Sequence, residues 1–303
     1  MVTVRKVCKV FTGKPTIEGD GVHLKRGFGF SEAPEFDPFL LFDDFRSDTP
    51  AYYIKGFPWH PHRGIETITY VLRGDVAHSD SLGNSGVISS GDVQWMTAGS
   101  GIIHQEMPKG DSEGKMYGFQ LWANLPARDK MMDPRYRDVA STQIPEVKLS
   151  SGVIIKVIAG EVAGIVGPVQ GIVIDPEYID VTVPAKTEFR HPVKPGHTVF
   201  AYLIDGQGSF CGEKKPGTCE VEESSSGNLQ QQSFGVNGEI ILFGDGSEIM
   251  VFTEDQEVRF LLISGKPIGE PVAWRGPIVM NTAGELRAAF EEYDQGTFIK
   301  FRR

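Results

Sequence analysis

The chain is poor in cysteine, and this shortage excludes one class of protein. Its 303 residues contain three cysteines, Cys8, Cys211 and Cys219, which is an odd number with no CxxC spacing. A disulfide framework is therefore not expected, and the pattern favours a reducing compartment. Cys211 and Cys219 flank a turn of Gly, Lys and Pro residues, so a bridge across that turn is the alternative.

The chain also lacks a net positive charge and long apolar runs. The net charge of −10 argues against direct binding of nucleic acid, because clustered Lys and Arg side chains hold phosphate backbones. The basic end, Lys300 to Arg303, is too short to change this. No apolar run approaches the ~18 residues of a transmembrane helix. The N-terminal MVTVRKVCKVFTG lacks the apolar core of a signal peptide. The sequence predicts a cytosolic protein, also nuclear in a eukaryote.

Turn-forming residues are abundant instead. The 36 Gly and 19 Pro, with 40% hydrophobic and 23% charged residues, indicate a β-rich globular protein. The length suggests two domains. Short strands are expected up to about residue 125 and again from 146 to 268. Residues 126–144 read as a helix or an irregular connector, and residues 207–237 as a polar excursion. The segment GELRAAFEEYDQGTF predicts a helix that ends near Gly296.

The two halves look like a degenerate repeat. TYVLRG, which ends at Gly74, resembles AYLIDG, which ends at Gly206, and Gly91 opens a strand as Gly238 does later. This predicts two similar β-barrels, one in residues 1–135 and one in residues 136–303 with the C-terminal helix.

Paired metal-ligand residues are the most informative feature. His60 and His62 are one residue apart, and His104 and Glu106 repeat the spacing. Residues i and i+2 of a strand share a face, so two such strands facing each other inside a barrel would aim all four side chains at one point. Pro61 places the first pair at a strand start or edge. Hydrogen-bonded core histidines are the alternative.

Such a ligand set suits a transition metal. Imidazole binds Fe, Ni, Cu and Zn, and a carboxylate tilts the set towards Fe(II) or Mn(II). Four protein ligands leave two positions open on an octahedral ion. Glu66 is expected on the same inward face as His60 and His62.

These segments carry a resemblance. FPWHPHRGIETITYVLRG and GDVQWMTAGSGIIHQEM resemble the two cupin motifs, and within the cupins they are similar to the signature segments of the pirin family. FDPFLLFDDF and GPIVMNT resemble pirin as well. The resemblance implies an all-β fold of two cupin-type barrels in tandem (double-stranded β-helix, jelly-roll-like), with one metal site in the first barrel.

The resemblance also implies roles for the site residues. Pirins bind iron through the residues that match His60, His62, His104 and Glu106. The general cupin pattern would use Glu66 instead, so Glu66 is an alternative ligand or lies behind the ligands. Glu106 is preferred, and it would also accept a substrate proton. Fe(II) is the expected metal, with Mn, Ni, Co, Cu or Zn as alternatives.

The second barrel is expected to lack a metal site. Alignment of the repeat glycines places non-ligand residues where the histidines and glutamates of the first barrel stand. Those residues are Pro192, Lys194, Thr198, Val251 and Thr253. His191 and His197 remain nearby, and His197 is expected at the surface or in a hydrogen bond.

The resemblance implies two functions of different classes, and a third stays open. The first is a metal-dependent dioxygenase that opens flavonols such as quercetin with dioxygen, with Ile68 and Met96 either in the core or in an apolar wall. The second is an iron-binding regulator of transcription or of a metabolic enzyme, without turnover. For its protein partner, Arg128, Lys130, Arg135 and Arg137 would form a contact surface, and a solvated connector is the default alternative for this run. The third is a fold in which metal only stabilises the barrel.

Overall fold

The computed structural model describes residues 2–210, 223–224 and 235–300. The polar stretch predicted as an excursion, with Cys211 and Cys219, lies largely outside these residues. The described chain is mostly β, as the sequence predicts. Its helices are α1 (Ala33–Phe36), α2 (Ala283–Asp294) and three 3-10 turns (Pro50–Tyr52, Ala127–Asp129, Ser141–Gln143).

The described strands follow in chain order. They are β1 (Val7–Thr12), β2 (Lys14–Glu18), β3 (Val22–Phe28), β4 (Phe39–Asp44), β5 (Phe57–His62), β6 (Ile65–Arg73), β7 (Asp75–Asp80), β8 (Ser85–Ile88), β9 (Val93–Thr97), β10 (Ile102–Lys109), β11 (Tyr117–Asn124), β12 (Arg135–Val139), β13 (Glu146–Lys148), β14 (Ile154–Ala159), β15 (Glu161–Val162), β16 (Ile165–Val166), β17 (Glu177–Val183), β18 (Glu188–Pro192), β19 (Thr198–Gly208), β20 (Glu223–Ser224), β21 (Gly235–Val236), β22 (Glu239–Phe243), β23 (Glu248–Phe252), β24 (Val258–Gly265), β25 (Ala273–Arg275) and β26 (Ile278–Met280).

The chain divides into two compact units whose bounds differ from the predicted halves. The first unit contains residues 14–141 and 268–303, and the second contains residues 1–13 and 142–267. Each terminal segment therefore belongs to the unit built mainly from the other half. Hydrophobic periodicity depends only on neighbouring residues, so it could not show which unit each terminal segment belongs to.

The first unit is built from two main sheets. One has seven strands in the order β12-β9-β6-β11-β4-β3-β2, and the other has four in the order β5-β10-β7-β8. The connector predicted after residue 126 contributes β12, an edge strand that pairs with β9. Its charged sequence conceals a strand because three of its five side chains are only half-buried and a fourth is exposed.

The second unit has a nine-stranded sheet and a β18-β23 pair around an apolar interior. Its equivalents of the repeat glycines adopt the same left-handed backbone as those of the first unit. Gly74 and Gly206 have φ of 84° and 69°, and Gly91 and Gly238 have φ of 88° and 87°. The shared turn geometry supports the predicted repeat, since such turns favour Gly.

The C-terminal helix forms where its apolar spacing predicts. Thr282 caps α2 by accepting a hydrogen bond from the Glu285 amide, and the Glu285 carboxylate accepts one from the Thr282 amide. Ala289 and Phe298 then pack with β26 in a small core of the first unit. Among the described residues, no helix is both long and apolar enough to cross a membrane.

Candidate metal centre

Strands β5 and β10 bring the three histidines together. They are hydrogen-bonded antiparallel neighbours, not strands that face each other across the barrel as predicted, and His60 lies directly opposite His104. β5 is an edge strand, as Pro61 requires. Burial alternates along β10, so His104 and Glu106 both point inward.

The ring nitrogens of the three histidines converge. The Nε2 atom of His60 lies 3.0 Å from Nε2 of His62 and 3.0 Å from Nε2 of His104. They form the one group of three or more potential metal-binding side chains found among the described residues. An octahedral ion with metal–nitrogen distances of about 2.1 Å has neighbouring ligand atoms about 3.0 Å apart, against about 3.4 Å for a tetrahedral ion. The spacing therefore fits neighbouring octahedral positions.

Backbone carbonyls fix the tautomers of two rings. Nδ1 of His60 lies 2.8 Å from the Pro58 carbonyl oxygen, and Nδ1 of His62 lies 3.1 Å from that of Pro277. A carbonyl only accepts, so each Nδ1 carries the hydrogen and each Nε2 presents a lone pair. Two lone pairs at 3.0 Å repel unless a cation or a proton lies between them. The donor set therefore fits a metal ion, with its outer nitrogens held as metal-binding histidines require.

Burial keeps two of the three histidines neutral. Loss of solvation lowers the pKa of His62 well below the usual 6.5, and neighbouring His60 adds to the effect. Burial likewise lowers the pKa of His104, with smaller contributions from His62 and His60. Neutral imidazole is the form that binds metal, so the protein presents these two ligands ready for use.

Glu106 is close to this cluster but outside it. Its carboxylate accepts hydrogen bonds from Thr69 Oγ1 at 3.3 Å and from Gln120 Nε2 at 3.2 and 3.3 Å. Strand β10 pairs regularly with β7 from His104 to Glu106, and the extra residue in its pairing with β5 lies in β5, between Phe57 and His60. Glu106 does line the same cavity as His60 and His62.

Glu66 is held away from the histidines. Its oxygens accept hydrogen bonds from Trp95 Nε1 at 3.0 Å and from Thr97 Oγ1 at 2.6 Å. The chain breaks from β5 to β6 at Gly64 (φ 78°), so the face predicted to run from His60 to Glu66 is interrupted. Burial raises the pKa of this carboxyl, and its two donors oppose the effect.

A row of polar residues crosses the seven-stranded sheet beside Glu106. Register places one residue from each of six adjacent strands, β3, β4, β11, β6, β9 and β12, in line. The row is Arg26, Asp43, Gln120, Thr69, Gln94 and Asp138. Arg26 binds both oxygens of Asp43 at 2.9 and 2.8 Å, and Gln94 donates to Asp138 and contacts His78. This polar row supplies both donors that hold Glu106.

Aromatic rings wall the cavity above the histidines. The cavity has a volume of about 410 Å³. Trp122 meets His62 edge-on at 5.1 Å, and Trp274 lies 6.0 Å from Trp122. Neither Ile68 nor Met96 lines the cavity, and both are fully buried. Ile68 and Met96 are therefore core residues. The aromatic wall is formed by Trp122 and Trp274, which the sequence did not indicate.

The C-terminal segment completes the site. Residues 274–277 contribute Trp274 and the Pro277 carbonyl, and β26 passes so close to Gly64 that a Cβ there would collide with the Val279 carbonyl. Buried Arg63 donates to the carbonyls of Ser100 and Phe298, both at 2.7 Å. Sequence spacing gave no sign of the contacts with Pro277 and Phe298, because these residues are 215 and 235 positions from their partners.

Lys130 also binds the C-terminal segment. It is buried, so its predicted position on a contact surface is wrong. It is 1% exposed, and its Nζ donates to the Gly64 and Val279 carbonyls and to Asn124 Oδ1. Burial lowers its pKa to about 7. Arg128 is exposed, as a surface residue would be.

Other side chains fill the matching positions of the second unit. Val251 lies in its apolar core, and Thr253 Oγ1 donates to backbone carbonyls, including that of Thr187. His191 Nε2 is 2.9 Å from a Glu177 oxygen, and His197 is 8% exposed, which contradicts a surface position.

Comparisons with known proteins agree with this fold. The Pirin family model matches residues 21–123, and the model of the Pirin C-terminal cupin domain matches residues 178–299. A pirin-like protein of Caulobacter vibrioides is 42% identical over 97% of this chain and 99% of its own length. A Pseudomonas aeruginosa protein is 38% identical over 98% of this chain and 99% of its own length. Its name gives it as a quercetin 2,3-dioxygenase, with a qualifier that marks the assignment as unproven.

A solved structure is similar over the whole length. It is a quercetin 2,3-dioxygenase from Acinetobacter baumannii, with a TM-score of 0.83 and 28% identity, covering 98% of this chain and 99% of that one. The family matches, the near full-length relatives and the two-barrel fold lead to one conclusion: this chain belongs to the pirin family of bicupins.

Proposed function

We propose that the protein is a metal-dependent dioxygenase that opens flavonols of the quercetin type. One observation carries the proposal: His60 Nε2 lies 3.0 Å from Nε2 of both His62 and His104, beside a cavity walled by tryptophan rings. The Acinetobacter structure and the name of the Pseudomonas relative support the same activity. Placement in the cytosol stays a prediction from the sequence.

His60, His62 and His104 would hold the metal, with Glu106 as the fourth ligand. Fe(II) is the metal we propose first, and Mn, Ni, Co, Cu and Zn are alternatives. When bound, such an ion would acidify a coordinated hydroxyl and activate dioxygen for attack on the electron-rich ring. Spacing that fits octahedral positions favours an ion with room for substrate atoms.

The protein's own side chains would bind the flavonol and move its proton. Trp122 and Trp274 offer apolar faces to a planar ring system and displace water from it. Glu106 lines the same cavity and would accept the proton of the substrate hydroxyl as a general base. Thr69 and Gln120 donate to its carboxylate and so fix its orientation at the cavity.

Aerobic incubation with quercetin tests the proposal. The iron-loaded protein should remove the flavonol absorbance and release carbon monoxide, and the His62→Ala variant should do neither. A protein that binds metal but gives no turnover with Fe, Mn, Ni, Co or Cu would contradict the enzyme. Such a result would favour the regulatory alternative, in which a protein partner reads the state of the iron.

A further inference from the structure

A second polar group lines the cavity besides the histidines. Arg26 Nε and Nη2 donate to the two oxygens of Asp43 at 2.9 and 2.8 Å, and Arg26 Nη1 lies 2.9 Å from Glu18 Oε1. All three side chains, the ionic group, line the same cavity as His60 and His62. None of the three has a role in the chemistry proposed at the histidines.

Sheet register places the ionic group at a distance from the metal ligands. Gln120, Asp43 and Arg26 are paired neighbours on β11, β4 and β3. Neighbouring strands are about 4.8 Å apart, so Arg26 lies about 10 Å along the sheet from Gln120. The amide of Gln120 contacts Glu106. The cavity therefore has a metal-binding end and an ionic end, with aromatic rings on its wall.

The ionic group can both accept and donate further hydrogen bonds. A carboxylate has about four acceptor sites and a guanidinium has several N–H donors, so the contacts within the group use only part of either. Asp43 is almost buried, at 7% exposed, and fixes the guanidinium, whereas Glu18 is 43% exposed and offers its carboxylate to a ligand. A phenolic hydroxyl matches this environment because it donates and accepts, while an ether oxygen only accepts.

We propose that Glu18 and Arg26 form a distal subsite that recognises a hydroxyl group on the flavonol ring remote from the metal-chelating oxygens, with Asp43 as a positioning residue for the guanidinium. The inference rests on the flavonol site of the proposed function. When the 3-hydroxyl and 4-carbonyl oxygens face the histidines, the ring attached at carbon 2 extends towards the ionic group. Donation of its para hydroxyl to Glu18 selects hydroxylated flavonols over those with a bare ring.

Binding of matched flavonols tests the subsite without turnover. Kaempferol and galangin differ only in that para hydroxyl, and neither has the vicinal hydroxyl pair of quercetin, which could itself bind metal. Calorimetric titration of the Fe(II)-loaded protein under argon should show about tenfold tighter binding of kaempferol, since a hydrogen bond to a charged group is gained. Kaempferide, in which a methyl group blocks the hydroxyl, should lose the preference because it cannot donate.

Variants identify the residues that create the preference. Glu18→Ala should reduce it to about twofold or less, and Arg26→Lys should reduce it as well, because lysine keeps the charge but loses the planar fork. The ratio of two affinities cancels any loss of folded protein or metal, so a purely structural role would leave it unchanged. Glu113→Ala is the matched control, because Arg73 also pairs with two carboxylates, Asp111 and Glu113, and none of them is among the residues that line the cavity. Its preference should stay about tenfold.

The outcomes separate this inference from the proposed function. Equal affinities for kaempferol and galangin, equal affinities for kaempferol and kaempferide, or a full preference in Glu18→Ala would overturn the subsite and leave the dioxygenase intact. A preference that Glu18→Ala abolishes, in a protein that turns over no flavonol, supports the subsite and overturns the dioxygenase. Failure of the unaltered protein to bind any of the three flavonols overturns both.

Discussion

Arg63 should be one of the most important stabilising residues of the first unit. Its side chain is 3% exposed, donates to the carbonyls of Ser100 and Phe298, and pairs with Glu292 at 2.7 Å. Arg63→Met keeps much of the volume but leaves two buried carbonyls without a donor, at about 1–3 kcal/mol each. Loss of the partly exposed ion pair adds little. We expect the free energy of unfolding to fall by about 3–4 kcal/mol.

Tryptophan fluorescence can measure this loss selectively. All four tryptophans of the chain belong to the first unit, so urea unfolding followed by their emission reports that unit alone. Arg73→Met is the control, because Arg73 also makes two carboxylate contacts in the same unit but at an exposed site. The control should leave the midpoint nearly unchanged. Equal midpoints for the two variants would refute the argument from buried carbonyls.

The same variant should weaken the metal site. β26 forms a parallel bridge with Arg63, and the Val279 amide donates to the Arg63 carbonyl. The Pro277 carbonyl, which fixes the His62 ring, precedes that bridge. Loosening it should reduce metal affinity about tenfold, the lower end of the effect of partners that orient metal ligands. Full affinity in a destabilised Arg63→Met protein would show that the segment does not position His62.

Four further predictions concern individual side chains. Glu66→Gln should retain metal while Glu106→Gln loses affinity; the reverse would make Glu66 the ligand. Burial raises the pKa of Glu66, so the unaltered protein should lose stability relative to Glu66→Gln as pH rises from 4.5 through that raised pKa. Burial lowers the pKa of Lys130 to about 7, so the unfolded chain binds more protons between pH 7 and 10.5. Stability should therefore rise across that window, and urea midpoints should show no such slope in Lys130→Met. Trp274→Ala should raise the KM for quercetin about tenfold, whereas exposed Trp59→Ala should not; equal KM values would exclude stacking on Trp274.

Local sequence patterns predicted a β-rich chain and the convergence of the three histidines, because both depend on short-range geometry. Alternate side chains of a strand lie on the same face, so the spacing alone places His60 with His62, and His104 with Glu106, on shared faces. Glu106 was predicted to meet the same point as the three histidines, and its role as a ligand stays a prediction. Its hydrogen bonds from Thr69 and Gln120 of the polar row come from the other sheet, so the spacing along β10 gives no sign of them.

Contacts between distant segments could not be predicted in the same way. Pro277 fixes the His62 tautomer through a backbone carbonyl, which every residue possesses, so its identity gives no signal. Lys130 looked like a solvated charge, yet three oxygens satisfy its ammonium group in the interior. The exchange of the terminal segments between the units also follows from tertiary packing alone.

The polar row distinguishes the first unit from the second. In the second unit, the strands equivalent to β4, β11, β6 and β9 align four apolar residues in the same register. They are Ile179, Leu262, Ala201 and Ile241, all members of its core. Such a row is stable without hydrogen-bond partners, whereas each buried group of the polar row needs one. Because a polar row lowers stability unless it is fully paired, its presence in the first unit indicates a function, and holding Glu106 beside three histidines is the function that its contacts support.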